Sequence, residues 1–142
     1  MLSVFDVAKY ILQMDTNGMT TMKLQKLCYY CQAYSLGWTN EKLFYEDIYA
    51  WKNGPVCRTL FNAHKGIFLI YLSDLKSSPG SASNVKGNAK IIVDQVFNAL
   101  KGFTADQLRS LSHSEDPWIQ AREQGENVVI SEDSMKKFYS ER

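Results

Sequence analysis

Apolar residues recur along most of this chain at spacings of three and four positions, the period of one face of an α-helix. Several of these stretches follow a residue type that caps helix N-termini, and the capping candidates are Ser3, Thr20, Thr104 and Ser131. An apolar residue stands just before each cap and another four positions after it, the spacing of a hydrophobic staple. The pattern therefore predicts four helices that begin at these positions.

Three further helices follow from apolar spacing combined with proline and glycine. Pro55 suits a first helical position because its missing N–H costs nothing there, and Pro117 opens a later helix for the same reason. The spacing within Ile92–Leu100 predicts another helix. The helix after Thr20 has a wide apolar sector, which is typical of a central helix, and we expect Gly37 to end it.

Two stretches are expected to be strands. Glu46–Trp51 alternates as a half-buried strand that turns directly into the Pro55 helix, and Ile67–Leu72 is a short apolar run that favours strand over helix. The connection is long enough for these two strands to pair. Residues 77–83 have the composition of a turn or mobile linker, and residues 128–130 are expected to be extended. We therefore predict a mainly α (α+β) fold of six to seven helices with a small two- to three-stranded sheet, forming a single domain over residues 1–142.

Composition and charge narrow the class of protein. The 142 residues are 45% apolar and 13% aromatic, which is enough for a well-packed core. The formal net charge of +1 gives no long-range field for nucleic acid or an anionic membrane, and no apolar run reaches the length of a bilayer span. The odd number of cysteines, three, favours reduced thiols over a disulfide framework. We expect a cytoplasmic protein that binds neither nucleic acid nor membrane.

Residue types associated with catalysis or metal binding occur, but in unsuitable patterns. Cys28 and Cys31 form one C-x-x-C on the apolar sector of a predicted helix, without the second pair that structural zinc requires, so a core position is favoured over a metal or redox role. The run Ser112–Asp116 contains the residue types of a catalytic triad, but sequence neighbours do not generally converge on one reacting atom. Its Ser114 and Asp116 are better explained as helix-capping residues before Pro117.

Other polar features have simple explanations. Glu46 and Asp47 are adjacent on a predicted strand and therefore point to opposite faces, which argues against a pair of catalytic carboxylates. Lys23 and Lys26 are expected on a solvated helix face rather than in a nucleic-acid stripe. We expect no enzyme activity and no cofactor.

The excess of aromatic residues is the remaining signal. Tyrosine and tryptophan combine a large apolar area with a polar tip and are therefore enriched at protein interfaces. The interface candidates are Trp38, Tyr45, Tyr49, Trp51 and Trp118. Core packing is the alternative for at least half of them, and together they favour a binding protein over an enzyme.

Four motifs in order along the chain resemble the Panacea-domain antitoxin family, also known as the phage-associated GepA-like or SocA-like proteins. The motifs are Leu24-Gln25-Lys26-Leu27-x-Tyr29-Tyr30, the run from Leu43-Phe44 to Ala50-Trp51-x-x-Gly54-Pro55-Val56, Leu60-Phe61-x-x-His64-x-Gly66-x-Phe68, and Leu111-x-His113-x-x-x-Pro117-Trp118. One such motif is weak, whereas four in the same order are specific.

The resemblance implies a mainly α antitoxin of a type II toxin–antitoxin pair, which neutralises a protein toxin encoded by a neighbouring gene. Such proteins occur in bacteria and prophages. The alternative that it implies is an adaptor that delivers its partner to an ATP-dependent cytoplasmic protease. The resemblance implies no catalytic, metal-binding or cofactor-binding residues. The partner-binding or family-motif residues that follow from the resemblance and the aromatic pattern are Gln25, Tyr30, Trp38, Tyr45, Tyr49, Trp51, Gly54, Pro55, His64, His113, Asp116, Pro117 and Trp118.

Overall fold

A computed structural model describes all of residues 1–142 and contains seven α-helices and two small antiparallel sheets, which confirms the mainly α (α+β) prediction. The helices are α1 (Val4–Met14), α2 (Thr21–Thr39), α3 (Arg58–His64), α4 (Gly87–Leu100), α5 (Ala105–His113), α6 (Asp116–Gln124) and α7 (Glu132–Tyr139). The strands are β1 (Met19–Thr20), β2 (Tyr49–Trp51), β3 (Gly54–Val56) and β4 (Leu69–Ile70). No helix combines the length and apolar character needed to cross a membrane.

The four predicted N-caps are confirmed. The Ser3 hydroxyl accepts from the Asp6 N–H and the Thr20 hydroxyl from the Lys23 N–H, while Thr104 and Ser131 make the same contact in α5 and α7. Each cap satisfies a backbone donor that the first helical turn leaves without a partner. These helix starts are therefore fixed by residues within one turn of one another.

Helix α2 runs through the centre of the molecule, as its wide apolar sector predicts, and packs against α1, α4, α5 and α7. Nearly every residue from Leu24 to Leu36 is buried. The prediction that Gly37 ends this helix is wrong, because α2 continues to Thr39 and Asn40 adopts the left-handed conformation at its C-cap. A Cβ on Gly37 would lie 2.6 Å from the backbone of Tyr139, so this glycine allows α7 to approach.

The prediction of a helix starting at Pro55 is also wrong. Strand β2 turns at Lys52-Asn53 into β3, which contains Pro55 opposite Ala50, and α3 begins only at Arg58. Gly54 has a φ of +116°, which makes the tight reversal possible. Proline is tolerated in β3 because β3 is an edge strand that pairs only with β2. Residues 128–130 are extended beside this hairpin, as predicted, with Ala50 N–H donating to the Val128 carbonyl.

The second sheet differs from the predicted pairing. Strand β4, within the predicted run Ile67–Leu72, pairs with β1 rather than with the 46–51 strand, and a 3₁₀ turn follows it. Residues 77–83 do not form a free linker, because the Lys9 ammonium donates to the carbonyls of Ser78 (2.8 Å) and Gly80 (2.9 Å). The Asp6 carboxylate also accepts from the Ser81 N–H at 2.7 Å.

Candidate functional site

Helix α3 is tied to the central helix by Gln25. The Gln25 side-chain oxygen accepts from the Cys57 N–H at 2.8 Å, and its NH₂ group donates to the Cys57 carbonyl at 3.1 Å and to His64 Nε2 at 2.9 Å. An amide NH₂ only donates, so Nε2 of His64 accepts and the ring is neutral. Burial lowers the pKa of His64, which agrees with a neutral ring. Gln25 and His64, both buried, thus hold the two ends of α3.

The hairpin β2–β3 rests on a buried lysine, contrary to the expectation of a solvated face. Lys26 is 1% exposed and donates to the Pro55 carbonyl at 3.3 Å. A Cβ on Gly54 would lie 2.5 Å from Lys26 Cε and 3.4 Å from the Ser112 hydroxyl. Burial, and next the charge of Arg109, lower the pKa of Lys26 to about 8. Gly54 and Pro55 are therefore buried residues of the hairpin that pack directly on the Lys26 side chain.

Helix α6 supports the other side of the hairpin. The Trp118 indole N–H donates to the Trp51 carbonyl at 2.9 Å, and the Arg122 guanidinium donates to the Ala50 carbonyl at 3.2 Å. The His113 ring stacks on Trp118 with centroids 3.8 Å apart and planes 9° apart. His113 Nε2 is buried without a partner in the protein, and burial, followed by the charges of Arg109, Lys26 and Arg122, lowers its pKa.

A groove opens beside Trp51, with a volume of about 310 Å³, and we call it the Trp51 groove. The Trp51 and Phe61 rings meet edge to face at 5.3 Å, and Phe61 contacts His64 in the same way at 5.5 Å. The groove is lined by Thr21, Met22, Gln25, Lys26, Trp51, Lys52, Asn53, Val56, Phe61 and His64. It thus combines apolar and aromatic walls with two lysines.

An exposed apolar segment adjoins this groove. Its members are Phe68, Leu69, Tyr71 and Leu72, named here the Phe68 strip, and Phe68 is 79% exposed. Thr21, which lines the groove, joins the two features: its N–H donates to the Phe68 carbonyl at 2.9 Å and its hydroxyl to the Ile67 carbonyl at 3.0 Å. Clusters of exposed large apolar residues are uncommon on monomeric proteins and are typical of interaction sites.

Tyr30 belongs to a separate buried network. The Glu115 carboxylate accepts from the hydroxyls of Tyr30 at 2.7 Å and Tyr139 at 2.9 Å, and the Tyr139 and Tyr29 hydroxyls lie 2.9 Å apart. Burial raises the pKa of Glu115 against the lowering effect of the two tyrosine hydroxyls. This network joins α7 and the start of α6 to α2.

The start of α6 differs slightly from the sequence prediction. The helix begins at Asp116 with Glu115 at the N-cap, so Pro117 lies within the first turn, buried, and Asp116 is exposed. Glu115 makes no side-chain cap because its carboxylate is held by the tyrosines. Ser114 does not cap this helix and instead donates to the Leu111 carbonyl.

The other aromatic candidates lie in different surroundings. Tyr49 is half-buried on the same face of β2 as Trp51, and the Arg58 guanidinium lies 4.3 Å over its ring. Trp38 and Tyr45 are exposed and do not line the Trp51 groove. The Trp38 indole donates to the Arg142 carbonyl near the chain end. The predicted residues therefore meet in two places, around the hairpin and around Glu115. The Trp38 ring borders the second place, because it packs on Tyr34, which contacts Tyr139, and Tyr45 stands apart.

Sequence reasoning missed two parts of the site. The sequence predicts Lys26 in solvent and predicts a strand without a surface role for the Phe68 strip. The only signal for Lys26 is its position between the buried neighbours Gln25 and Leu27, and the signal for the strip is a run of six apolar residues, longer than one buried strand face needs.

The reactive residue types of the chain lie away from this surface or apart from one another. The thiols of Cys28 and Cys31 are buried in the hydrophobic core, as predicted, and the Cys57 thiol is buried as well. Burial raises the pKa of all three thiols. No group of three or more His, Cys, Asp or Glu side chains is arranged to hold a metal ion. The Trp51 groove and Phe68 strip instead present aromatic area, aliphatic area and cationic groups.

Comparison with known protein families identifies this region of the chain. The family described as antitoxin SocA-like, Panacea domain, matches residues 24–119, more than half of the chain and including the hairpin, α3 and the Phe68 strip. No curated protein and no solved structure gives a significant match. The chain therefore belongs to the SocA-like antitoxin family built on the Panacea domain.

Proposed function

We propose that this protein is the antitoxin of a type II toxin–antitoxin pair and neutralises a protein toxin by direct binding. The observation that carries the proposal is the match of residues 24–119 to an antitoxin domain. Neutralisation by contact requires a surface that covers the toxin and no reaction chemistry of the antitoxin's own. We further propose that residues 1–142 act together as one Panacea-like unit.

The toxin-binding surface in this proposal is the Trp51 groove with the adjoining Phe68 strip. A stable interface buries on the order of 800 Å² on each partner, and aromatic anchors at its centre supply most of the binding energy. Trp51, Phe61 and Phe68 provide such anchors within the region that matches the family. Tyr49 lies on the same strand face and extends the surface towards Arg58.

The remaining family-motif residues have a supporting role in this proposal. Gln25 and His64 position α3, Gly54 and Pro55 position the hairpin over Lys26, and His113, Pro117 and Trp118 support it from α6. Tyr30 holds α7 through Glu115. Substituting these residues is expected to reduce stability first, whereas substituting Phe68 is expected to reduce binding alone.

The proposal is tested with the protein encoded by the gene beside this one. That protein is expressed alone and together with this chain, with an empty vector as the control. We expect growth arrest that co-expression relieves, and a complex that co-purifies. Absence of both the arrest and the complex contradicts the proposal.

A second measurement in the same co-expression system distinguishes two mechanisms, blocking of the toxin by binding and delivery of the toxin to a protease. The half-life of the partner is measured after protein synthesis is stopped, with and without this chain. A shorter half-life in its presence supports an adaptor that passes the partner to an ATP-dependent protease. An unchanged half-life under neutralising conditions supports occlusion by binding alone.

A further inference from the structure

The amine of Lys26 is a buried cation without an acidic partner. Its single hydrogen bond in the protein is to the Pro55 carbonyl at 3.3 Å, near the upper limit for such bonds. The two ion pairs of the molecule, Lys42–Glu132 and Lys90–Asp94, do not involve it. Buried charged groups in proteins are usually paired, so this arrangement calls for an explanation.

The charged groups that influence Lys26 are cationic, and none is acidic. Arg109 is close enough to lower the pKa of the Lys26 amine, and Lys26 in turn lowers that of His113. Lys52 lies at the rim of the Trp51 groove, and no aspartate or glutamate lines the groove. The electrostatic complement of the groove is therefore an anion.

The groove walls restrict which anion fits. Met22, Trp51, Val56 and Phe61 make its sides apolar and aromatic, whereas Lys26 lies at its base. A small hydrated anion gains nothing from such walls. A carboxylate attached to a chain with a neighbouring apolar side chain gains both the ion pair and the burial of apolar surface.

We propose that the Trp51 groove binds an acidic side chain of the partner protein together with an adjacent apolar side chain, and that the carboxylate pairs with the Lys26 ammonium when this amine turns from the Pro55 carbonyl towards the groove. The proposal rests on the proposed function, since it describes how the same surface recognises a toxin. It also assigns Lys26 a role beyond supporting the hairpin: it selects partners that carry a carboxylate at this point. A charge pair made in a desolvated groove contributes to specificity more than an exposed one.

The test uses short peptides, so that it does not depend on the identity of the toxin. The probes are acetyl-Phe-Glu-Leu-amide, its glutamine counterpart acetyl-Phe-Gln-Leu-amide, and inorganic phosphate, each added to the full chain at pH 7. Binding is followed by NMR at two positions: the Trp51 indole N–H at the groove wall and the Lys26 side-chain Cε, whose shift also reports protonation of the amine.

We expect the glutamate peptide to shift both signals and to bind at least about tenfold more tightly than the glutamine peptide. The pKa of Lys26 measured from its Cε signal should rise when the glutamate peptide is bound. Lys26→Met should remove the tenfold preference, whereas the matched variant Lys52→Met at the rim should keep most of it. If Lys26→Met disturbs the fold, Lys26→Gln, which retains a donor for Pro55, replaces it.

Three results with the small probes would overturn the inference. Equal binding of the two peptides, no response of either signal, or a response to inorganic phosphate alone would each show that the groove does not select an acidic side chain. A toxin complex that forms with the wild-type chain and is unaffected by Lys26→Met would leave the proposed antitoxin function in place and remove only this inference. Failure of any toxin to bind would contradict the proposed function, and the peptide results would still decide the inference.

Discussion

At the residue scale, Gly54 has two separate reasons to be glycine. Its φ of +116° lies in a region that residues with a Cβ rarely adopt, and a Cβ there would lie 2.5 Å from Lys26 Cε. The turn and the packing of the buried lysine therefore both require a residue without a Cβ at position 54. The sequence indicates a flexible residue before Pro55, but only the packed structure explains why the space must stay empty.

Replacing this glycine tests that requirement. Gly54→Ala is expected to lower the free energy of unfolding by about 2 kcal/mol or more, because it adds both backbone strain and a steric overlap. Gly102→Ala is the control, since Gly102 has open space at its Cβ position and no positive φ. The control should change stability by less than about 0.5 kcal/mol in chemical denaturation. Equal effects of the two substitutions would contradict this role of Gly54.

Lys26 gives the fold a pH dependence of predictable sign. The pKa of Lys26 falls from an ordinary 10.5 to about 8 in the folded protein. Between these values the unfolded chain binds more protons, so the contribution of this group to stability rises with pH from about 8 to 10.5. Below pH 8 both states are protonated and the full cost of burying the charge remains.

Lys26→Met removes the free-energy cost of burying a charged amine and keeps an unbranched apolar side chain. We expect the variant to be more stable than the wild type at pH 7 by roughly 1–3 kcal/mol, after allowing for the lost bond to Pro55. The difference should shrink as the pH rises through 8 to 10.5, as measured by urea unfolding at a series of pH values. A difference that does not vary with pH would show that Lys26 is not a desolvated cation in the folded state.

At the scale of elements, α7 is joined to α2 by the tyrosines around Glu115. Both Tyr30 and Tyr139 donate to the same carboxylate oxygen, and Gly37 lets the backbone of α7 approach. Because burial holds the pKa of Glu115 above its usual range, the folded state retains a proton at a pH where the unfolded state has lost it. The contribution of Glu115 to stability is therefore lost as the pH rises through that window.

Two substitutions of Glu115 distinguish the effect of its charge on stability from the effect of its hydrogen bonds. Glu115→Gln keeps an oxygen acceptor for both hydroxyls and removes the buried charge, so stability at pH 7 should be unchanged or higher. Glu115→Leu leaves the two hydroxyls without their acceptor and should cost about 2–4 kcal/mol. Thermal and urea unfolding measure both variants. A similar loss in the two would mean that the carboxylate charge itself is required.

At the scale of the whole molecule, exposed aromatic and aliphatic side chains concentrate beside the Trp51 groove. The Phe68 strip is exposed because β4 pairs only with the two-residue strand β1 and no helix covers the outer face of this segment. Exposed residues contribute little to folding stability. Phe68, the most exposed residue of the strip, can therefore be changed without loss of the fold.

Phe68→Arg should weaken the complex with the cognate toxin by at least about tenfold and abolish growth rescue. Its midpoint of thermal unfolding should stay close to that of the wild type, because Phe68 is 79% exposed. Ile91→Arg is the matched control, with an exposed apolar residue on α4 outside the groove and the strip. Loss of rescue in both variants, or in neither, would place the toxin-binding surface elsewhere.

Much of the fold could be predicted because the relevant signals are local. The caps at Ser3, Thr20, Thr104 and Ser131 depend on residues three or four positions away, and all are confirmed. The core position of Cys28 and Cys31 follows from the helical period in the same way. The two strand pairings could not be predicted, because each depends on which distant segment lies alongside.

The candidate site was predictable only in part. Most of the motif residues meet around the hairpin, whereas Tyr30 lies in the separate network around Glu115. The sequence does not predict the place of Pro55, because proline suits a helix start and an edge strand alike. The burial of Lys26 on α2 is not predictable, because the sequence carries no measure of what covers a lysine. The exposure of the Phe68 strip is not predictable either, because it depends on the absence of a covering element.

The amino-acid sequence by itself determined the helix starts, the central position of α2 and the family, since these depend on short-range spacing and on the order of motifs along the chain. Only the tertiary structure decided that β2 reverses into β3, that Lys26 is buried, and that Phe68 faces outwards. Those features depend on contacts between segments dozens of positions apart, such as Lys26 with Pro55 and Trp51 with Trp118. Spacing within one segment contains no information about such partners.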